Sequence, residues 1–158
     1  MKITRLLTRK ISKKLLNQIL ELKDSHWKNG KKSQKLWFDK NSFDKDAHFI
    51  LFINNKVVGY VHLGPRTYRF HNGTEKKYLL FKNLIIKKKF RNKGFAYKLM
   101  DDINLFVKKK KFFAFLICKK KLTKFYKKVF WSKLLKKNIK IIDHHNKFIG
   151  MVYNFPHS

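Results

Sequence analysis

Cysteine is almost missing from this chain: Cys118 is the single one among 158 residues. One thiol excludes an intrachain disulfide and a cysteine-based zinc cluster, so no metal is expected. Its place inside FFAFLIC predicts a buried thiol rather than a nucleophile. Proline is nearly as scarce: Pro65 and Pro156 are the only two, and neither marks a linker. With no internal repeat, one domain over 1–158 is the expectation. No apolar run approaches the ~18 residues that a membrane span needs. The opening MKITRLLTRKISKK is basic but lacks the apolar core of a signal peptide, so the expected location is cytoplasmic.

Acidic residues are few. Nine Asp and Glu face 40 Lys and Arg, a formal net charge of +31. Such an excess ordinarily points to nucleic acid. Arginine, however, is also scarce: Arg5, Arg9, Arg66, Arg69 and Arg91 are the five, leaving 35 lysines. Because arginine is the better bidentate reader of phosphate and guanine, selection for nucleic-acid recognition would raise it too. The abundance of Lys, Asn, Ile and Phe fits an A/T-rich coding bias instead. What the chain does have is core material, 44% hydrophobic with 16 Phe, enough for a packed globule.

Residues 2–7 read as a first strand. Thr8 or Ser12 can cap a helix reaching about Asp24, with Ile11, Leu15, Leu16, Ile19 and Leu22 as its apolar stripe. Residues 25–32 read as a loop with Gly30 as a stop, and a second short helix starts at Ser33. HFILFI and VVGYVHL flank Asn54-Asn55-Lys56 and predict a hairpin. Residues 65–77 read as a polar loop containing Asn72-Gly73. YLLFKNLII, 78–86, is the longest strand candidate and reads as central. A helical pattern follows from Gly94, with Phe95, Leu99, Ile103 and Phe106 on one face. FFAFLIC is a further buried strand, followed by a Lys-rich helix around Phe125 and Tyr126. IKIID and FIGMVY, separated by HHNK, predict a closing hairpin. The order β-α-α-β-β-β-α-β-α-β-β defines a mixed α/β domain. Its central strand-helix-strand unit implies a parallel pair.

The segment KKKFRNKGFAYKLM, 87–100, joins the central strand to its helix. Backbone N–H groups at a helix start have no intrahelical partners and sit at the positive end of the macrodipole. Gly94 lets the backbone approach a ligand, so the turn can cradle a pyrophosphate, and Arg91 can add a charge-assisted contact. Taken alone, R-x-x-G-x-A is also compatible with an ordinary loop ending in a helix-start glycine.

LIIKKKFRNKGFAYKLM resembles the acetyl-CoA-binding signature of the GCN5-related N-acetyltransferases, the GNAT superfamily. Ile86 takes the strand-end position of that signature, and Arg91, Gly94 and Ala96 its three loop positions. KLTKFYKKVFW resembles a second family segment: Phe125-Tyr126 matches its aromatic-Tyr pair and Trp131 its final aromatic. The element order fits the family's fold over nearly the whole chain, a mostly antiparallel sheet with helices on both faces. Two positions depart from the pattern. Phe130 stands where a glycine usually precedes the final aromatic, so a differently built turn is expected there. Lys119 replaces an asparagine that often contacts the pantetheine arm, and it could reach a coenzyme A phosphate instead.

The resemblance implies an acyltransferase with acetyl-CoA as co-substrate and a small-molecule primary amine as acceptor. Coenzyme A would wedge between strands splayed apart after residue 86. Main-chain groups of Leu84, Ile85 and Ile86 would pair with its arm, and Arg91, Asn92, Lys93, Gly94, Phe95 and Ala96 would hold the pyrophosphate. Tyr126 is the implied acid for the leaving thiolate, the alternative being a core-edge tyrosine. Where many relatives carry a glutamate base, this chain offers Lys82 and Asn83. His26, His62, Asp143, His144, His145 or a water chain remain for the amine's proton. Asp24, His26, Trp27, Asn83, Asp143 and His144 are the candidates for the acceptor side, with Glu21 nearby. Trp27 and Trp37 serve either as an aromatic wall or as packing.

So few acids disfavour a polycationic acceptor and suit an amine on an anionic scaffold, such as an amino sugar or a nucleotide-linked amino sugar. Rival readings are a basic nucleic-acid-binding module, acetylation of a protein amine, and a fold that binds coenzyme A without catalysis. Nucleic acid is the less favoured partner because most aromatics fall in core patterns. Exposed strand edges would permit a homodimer.

Overall fold

The computed structural model describes residues 1–69, 73–134 and 148–155. Its elements are β1 (Lys2–Leu7), α1 (Lys13–Trp27), α2 (Lys31–Asn41), β2 (Ala47–Ile53), β3 (Lys56–Arg69), β4 (Glu75–Ile86), α3 (Phe95–Lys109), β5 (Phe113–Lys119), α4 (Thr123–Lys128), β6 (Ser132–Lys133) and β7 (Phe148–Tyr153). The order is as expected from β1 through α4 and at β7; β6 was not expected, and the strand expected at IKIID lies outside the described residues. The strands are hydrogen-bonded in the sequence β1-β2-β3-β4-β5-β7-β6. By contacts the chain divides into two compact units, residues 1–64 with 82–100 and residues 65–81 with 101–158.

In the first unit, Ser12 rather than Thr8 caps α1, its Oγ accepting from Leu15 N at 3.2 Å. Thr8 begins a 3-10 turn instead. The helix outruns its expected end and closes at Trp27, with Lys28 left-handed at φ 53. Gly30 does not stop α1 but precedes α2, which begins two residues before Ser33. Asp24 Oδ1 accepts from Gly30 N at 2.7 Å and ties the two helices' junction. Asn54 and Asn55 both adopt positive φ, 48 and 58, the type I′ geometry that folds β2 back on β3 in antiparallel register. Ile19, Leu22, Ile50, Val57, Tyr60 and Ile85 form the core of this unit.

The polar loop expected over 65–77 is mostly strand: β3 continues to Arg69 and β4 starts at Glu75. Arg69 Nε and Nη2 both donate to Glu75 Oε1, at 3.0 and 2.7 Å, a contact that joins the two strand ends. Thr67 and Tyr68 also favour extended backbone.

In the second unit, β4 and β5 form the expected parallel pair, Tyr78–Leu80 against Phe113–Phe115. Strand β7 is antiparallel to β5 and also carries the short β6. FIGMVY is therefore a strand as expected, while IKIID and HHNK lie outside the described residues. On α3 the buried positions here are Ile103, Asn104 and Val107, with Phe106 half-buried. Asn104 clamps the chain after α4: its Nδ2 donates to Val129 O at 2.9 Å and its Oδ1 accepts from Trp131 Nε1 at 3.0 Å. No described helix is long and apolar enough to cross a membrane.

Candidate functional site

The site begins where β4 loses its regular extended form. Asn83 sits inside the strand at φ 62. A left-handed residue bulges a strand and breaks its ladder, and asparagine tolerates that conformation better than most. The parallel ladder with β5 ends at Leu80, earlier than the splaying expected after residue 86, while β4 itself runs on to Ile86. Lys87 N donates to Val58 O at 2.8 Å and anchors the strand's end on β3.

A 3-10 turn, Lys88–Phe90, leads into the loop. Asn92 and Gly94 are both left-handed, at φ 60 and 77. Gly94 O accepts the first α3 bond, from Lys98 N at 3.2 Å. The N–H groups that follow Gly94, of Phe95 and Ala96, stand in the first turn, ahead of the helix's own acceptors. Residues 91–94 are exposed, and a β-carbon built on Gly94 would meet nothing within 4 Å. Lys87, Lys88, Lys89, Arg91 and Lys93 are all exposed along the approach. Helix-start amides, the positive end of a fifteen-residue helix and open space are features with which this turn could cradle an anion.

Arg91 plays a part that its motif position did not reveal. Its Nε donates to Ile86 O at 2.9 Å, and its Nη2 lies 2.9 Å from His26 Nδ1. The guanidinium thus holds the loop onto the end of β4 and draws the end of α1 toward it. Trp27 is 39% exposed and its ring meets His26 edge-on at 4.9 Å. Among the acceptor-side candidates, His26 therefore stands at the cradle, while Asp24 holds the α1–α2 junction. Glu21 pairs with Lys31 at 3.0 Å on the surface. Asp143, His144 and His145 lie outside the described residues.

A buried polar cluster lies elsewhere in the first unit. His62 is fully buried, and its Nε2 stands 2.7 Å from Asp46 Oδ2. His48 stacks on it at 4.5 Å and contacts Tyr60 Oη at 2.7 Å and Thr8 Oγ1 at 2.8 Å. Burial, and next the neighbouring His62, lower the His48 pKa to about 3, so it is neutral at physiological pH. This network makes His62 a buried, hydrogen-bonded sheet histidine.

Lys82 Nζ donates to Asn41 O at 2.7 Å and lies 4.0 Å from Asp46 Oδ2. Lys23, on α1, is only 1% exposed, and its Nζ has no hydrogen-bond partner. It sits 3.9 Å from the centre of the Trp37 ring. Burial, and next the charge of Lys82, lower its pKa to about 8. Asn83 Nδ2 is likewise buried and unpartnered. Sequence reading missed Lys23 because lysine is taken as surface, although its spacing from Leu15, Ile19 and Leu22 places it on the apolar stripe.

In the second unit, Tyr126 is 5% exposed on α4. Phe125 and Trp131 pack against it, and Phe81 meets it edge-on at 6.1 Å. Burial, and next the nearby Cys118, push its phenol well above the usual tyrosine range, so it stays protonated at neutral pH. Cys118 is buried, as its context predicted, and burial raises its pKa. Lys119 closes β5 with an exposed side chain. Phe130 adopts φ 69, the conformation a glycine would take, with its ring 81% exposed. The turn is thus of glycine type despite the substitution, contrary to the expectation of a different build.

A family model described as "Acetyltransferase (GNAT) domain" matches residues 44–129, more than half of the chain. No curated protein matches the sequence. Among solved structures, an aminoglycoside 6'-acetyltransferase type Ii is similar with TM-score 0.73 and 14% identity, over 100% of both chains. A Pseudomonas aeruginosa acyl-CoA N-acyltransferase gives TM-score 0.73 at 15% identity, over 96% of this chain and 97% of that one. A Bacillus subtilis N-acetyltransferase, crystallised in complex with coenzyme A, gives TM-score 0.60 at 18% identity, over 96% and 95%. At such identities the likeness is one of fold.

Proposed function

Because the chain belongs to the GNAT acetyltransferase family, we propose that it moves the acetyl group of acetyl-CoA directly onto a primary amine of a small molecule. An amino sugar, free or nucleotide-linked, is the acceptor class that its basic surface suits. The observation that carries this reading is the exposed turn at 91–94 with its open Gly94, placed directly at the start of α3.

Acetyl-CoA, when bound, supplies the acetyl group as an activated thioester. The amides after Gly94 hold the pyrophosphate, and the exposed lysines at 87–89 and 93 attract the polyanion. Main-chain groups of Leu84, Ile85 and Ile86 pair with the pantetheine arm as an added strand would. The freedom of β4 beyond its ladder with β5, which ends at Leu80, supports that pairing. An N–H near Ile86 stabilises the charge that develops on the acetyl oxygen as the amine attacks. The amine loses its proton to a water chain or to a nearby base such as His26. Tyr126, kept protonated by burial, returns a proton to the departing sulfur. Lys119 completes the set as a contact to a coenzyme A phosphate.

A thermal-shift titration with acetyl-CoA, coenzyme A and ATP at low and high salt tests the proposal. A cofactor that binds only the native state stabilises it by about 2.7 kcal/mol at a hundredfold excess over its Kd. Acetyl-CoA and coenzyme A should raise the melting temperature where ATP does not. Gly94→Ala, which adds a methyl group to the cradle and strains its backbone, should weaken that shift by about tenfold in concentration. Equal shifts with every polyphosphate, abolished by salt and indifferent to Gly94→Ala, would leave only a basic surface.

A further inference from the structure

Two lysines of the first unit converge on one indole. Lys23 reaches Trp37 from α1 at 3.9 Å, and Lys82 reaches the same ring from β4 at 5.9 Å. Trp37, on α2, is only half-buried, and the Lys82 side chain is 13% exposed, so the pair lies under a thin cover. Lys23 Nζ has no hydrogen-bond partner at 1% exposure.

A buried ammonium without a partner is costly, several kcal/mol in general, and a cation–π contact returns only a part of that. A second ammonium beside it makes matters worse. Asp46 is already engaged through Oδ2 by His62 at 2.7 Å and by the Phe43 amide at 3.2 Å, and it lies at the limit of reach of Lys82. A core designed for packing alone would place an apolar residue on the stripe formed by Leu15, Ile19 and Leu22. An ammonium buried on that stripe without a hydrogen-bond partner is a place for a negative group.

We propose that Lys23 and Lys82, gated by Trp37, receive an acidic oxyanion, carboxylate or phosphate, carried by the acceptor amine. The assignment rests on the acetyltransferase reading above and narrows its acceptor class. Lys82 stands two residues before the 84–86 stretch assigned to the pantetheine arm, so an acid held there lies beside the acetyl-bearing strand. Asn83 Nδ2, next to Lys82 in sequence, is also buried and unpartnered and is a further candidate donor. An anion bound here satisfies Lys23, keeps it protonated and moves the indole that covers it.

The test is tryptophan fluorescence of protein saturated with acetyl-CoA, titrated with ethanolamine, phosphoethanolamine and β-alanine. These probes share a two-carbon amine and differ in carrying no acid, a phosphate or a carboxylate. One or both acidic probes should give a saturable change where ethanolamine gives none, and whichever binds tighter names the acid. Trp37→Phe should remove the signal, separating it from Trp27 and Trp131. Lys23→Met and Lys82→Gln should each weaken binding by about tenfold or more, the usual effect of deleting a charged hydrogen bond. Their acetyl-CoA thermal shift should be unchanged. No response to either acidic probe, or an equal response in Lys23→Met, overturns the proposal. Failure of acetyl-CoA to shift the melting temperature overturns the acetyltransferase reading instead, so the two failures are distinguishable.

Discussion

At the scale of single residues, the burial of Lys23 makes a prediction about stability and pH. Its pKa falls from 10.5 to about 8 in the folded chain, first through loss of solvent and then through Lys82. Below about pH 8 the native state carries the full penalty of a buried ammonium. Between that pH and 10.5 the unfolded chain binds more protons than the folded one, so stability rises with pH across this window. The size is about 3–4 kcal/mol, since each unit of pKa is worth about 1.4 kcal/mol. Lys23→Met keeps the stem and removes the charge. It should therefore be more stable than the parent at pH 7, with the advantage shrinking as pH climbs toward 10. Urea unfolding of both proteins at several pH values checks this, and a constant difference between them would contradict it. Buried tyrosines such as Tyr60, whose pKa is raised by burial, act on both proteins alike and cancel in the comparison.

At the scale of elements, Gly59 shows how tightly the strand ends are held. A β-carbon there would stand 2.9 Å from Ile86 Cδ1, 3.1 Å from Leu51 Cβ and 3.1 Å from Leu99 Cδ1. Three elements, β2, β4 and α3, thus meet on one glycine of β3. Gly59→Ala should destabilise the fold by about 1–3 kcal/mol through overpacking. Because Ile86 ends the proposed cofactor strand, acetyl-CoA affinity should fall as well, measurable in the same thermal titration. An alanine variant as stable as the parent would mean that the contact yields. This closeness could not be read from the sequence, where Gly59 is merely a glycine in an apolar run. What could be read was pattern: the apolar runs at 48–53 and 57–63, the Asn-Asn turn, and a helix opening at Gly94. The features that escaped depend on partners distant in sequence. Residues 66–69 and 75–77 are polar, and pairing such as Arg69 with Glu75 helps make them strand. Asn83 turns left-handed within an apolar run, and Phe130 takes a glycine's conformation, neither of which residue type announces. The cradle was the most legible part of the site because a glycine before an apolar helical stripe carries its chemistry locally. The role of Arg91 as a clasp on Ile86 and His26 was not legible, since His26 is 65 residues away.

At the scale of the whole molecule, the charge of +31 sets two responses to salt that run in opposite directions. Exposed pairs such as Glu21–Lys31, Asp39–Lys35 and Glu75–Arg69 contribute at most about 1 kcal/mol each, and salt weakens them. Against these few attractions stand 40 basic side chains that repel one another, and nine acids cannot neutralise them. Screening shortens from roughly 30 Å at 0.01 M to roughly 8 Å at 0.15 M, so added salt removes far more repulsion than attraction. The melting temperature of the free protein should rise as sodium chloride is added. Acetyl-CoA, a polyanion drawn in by the same field, should associate more slowly over the same range, because long-range steering is screened. Its dissociation should change little, since the amides after Gly94 act at contact distance. Stopped-flow binding and thermal melts at matched salt concentrations separate the two effects. A melting temperature that fell with salt would mean that surface pairs outweigh repulsion. A dissociation rate that rose as steeply as association fell would mean that the cofactor is held by the lysine field rather than by the shaped turn.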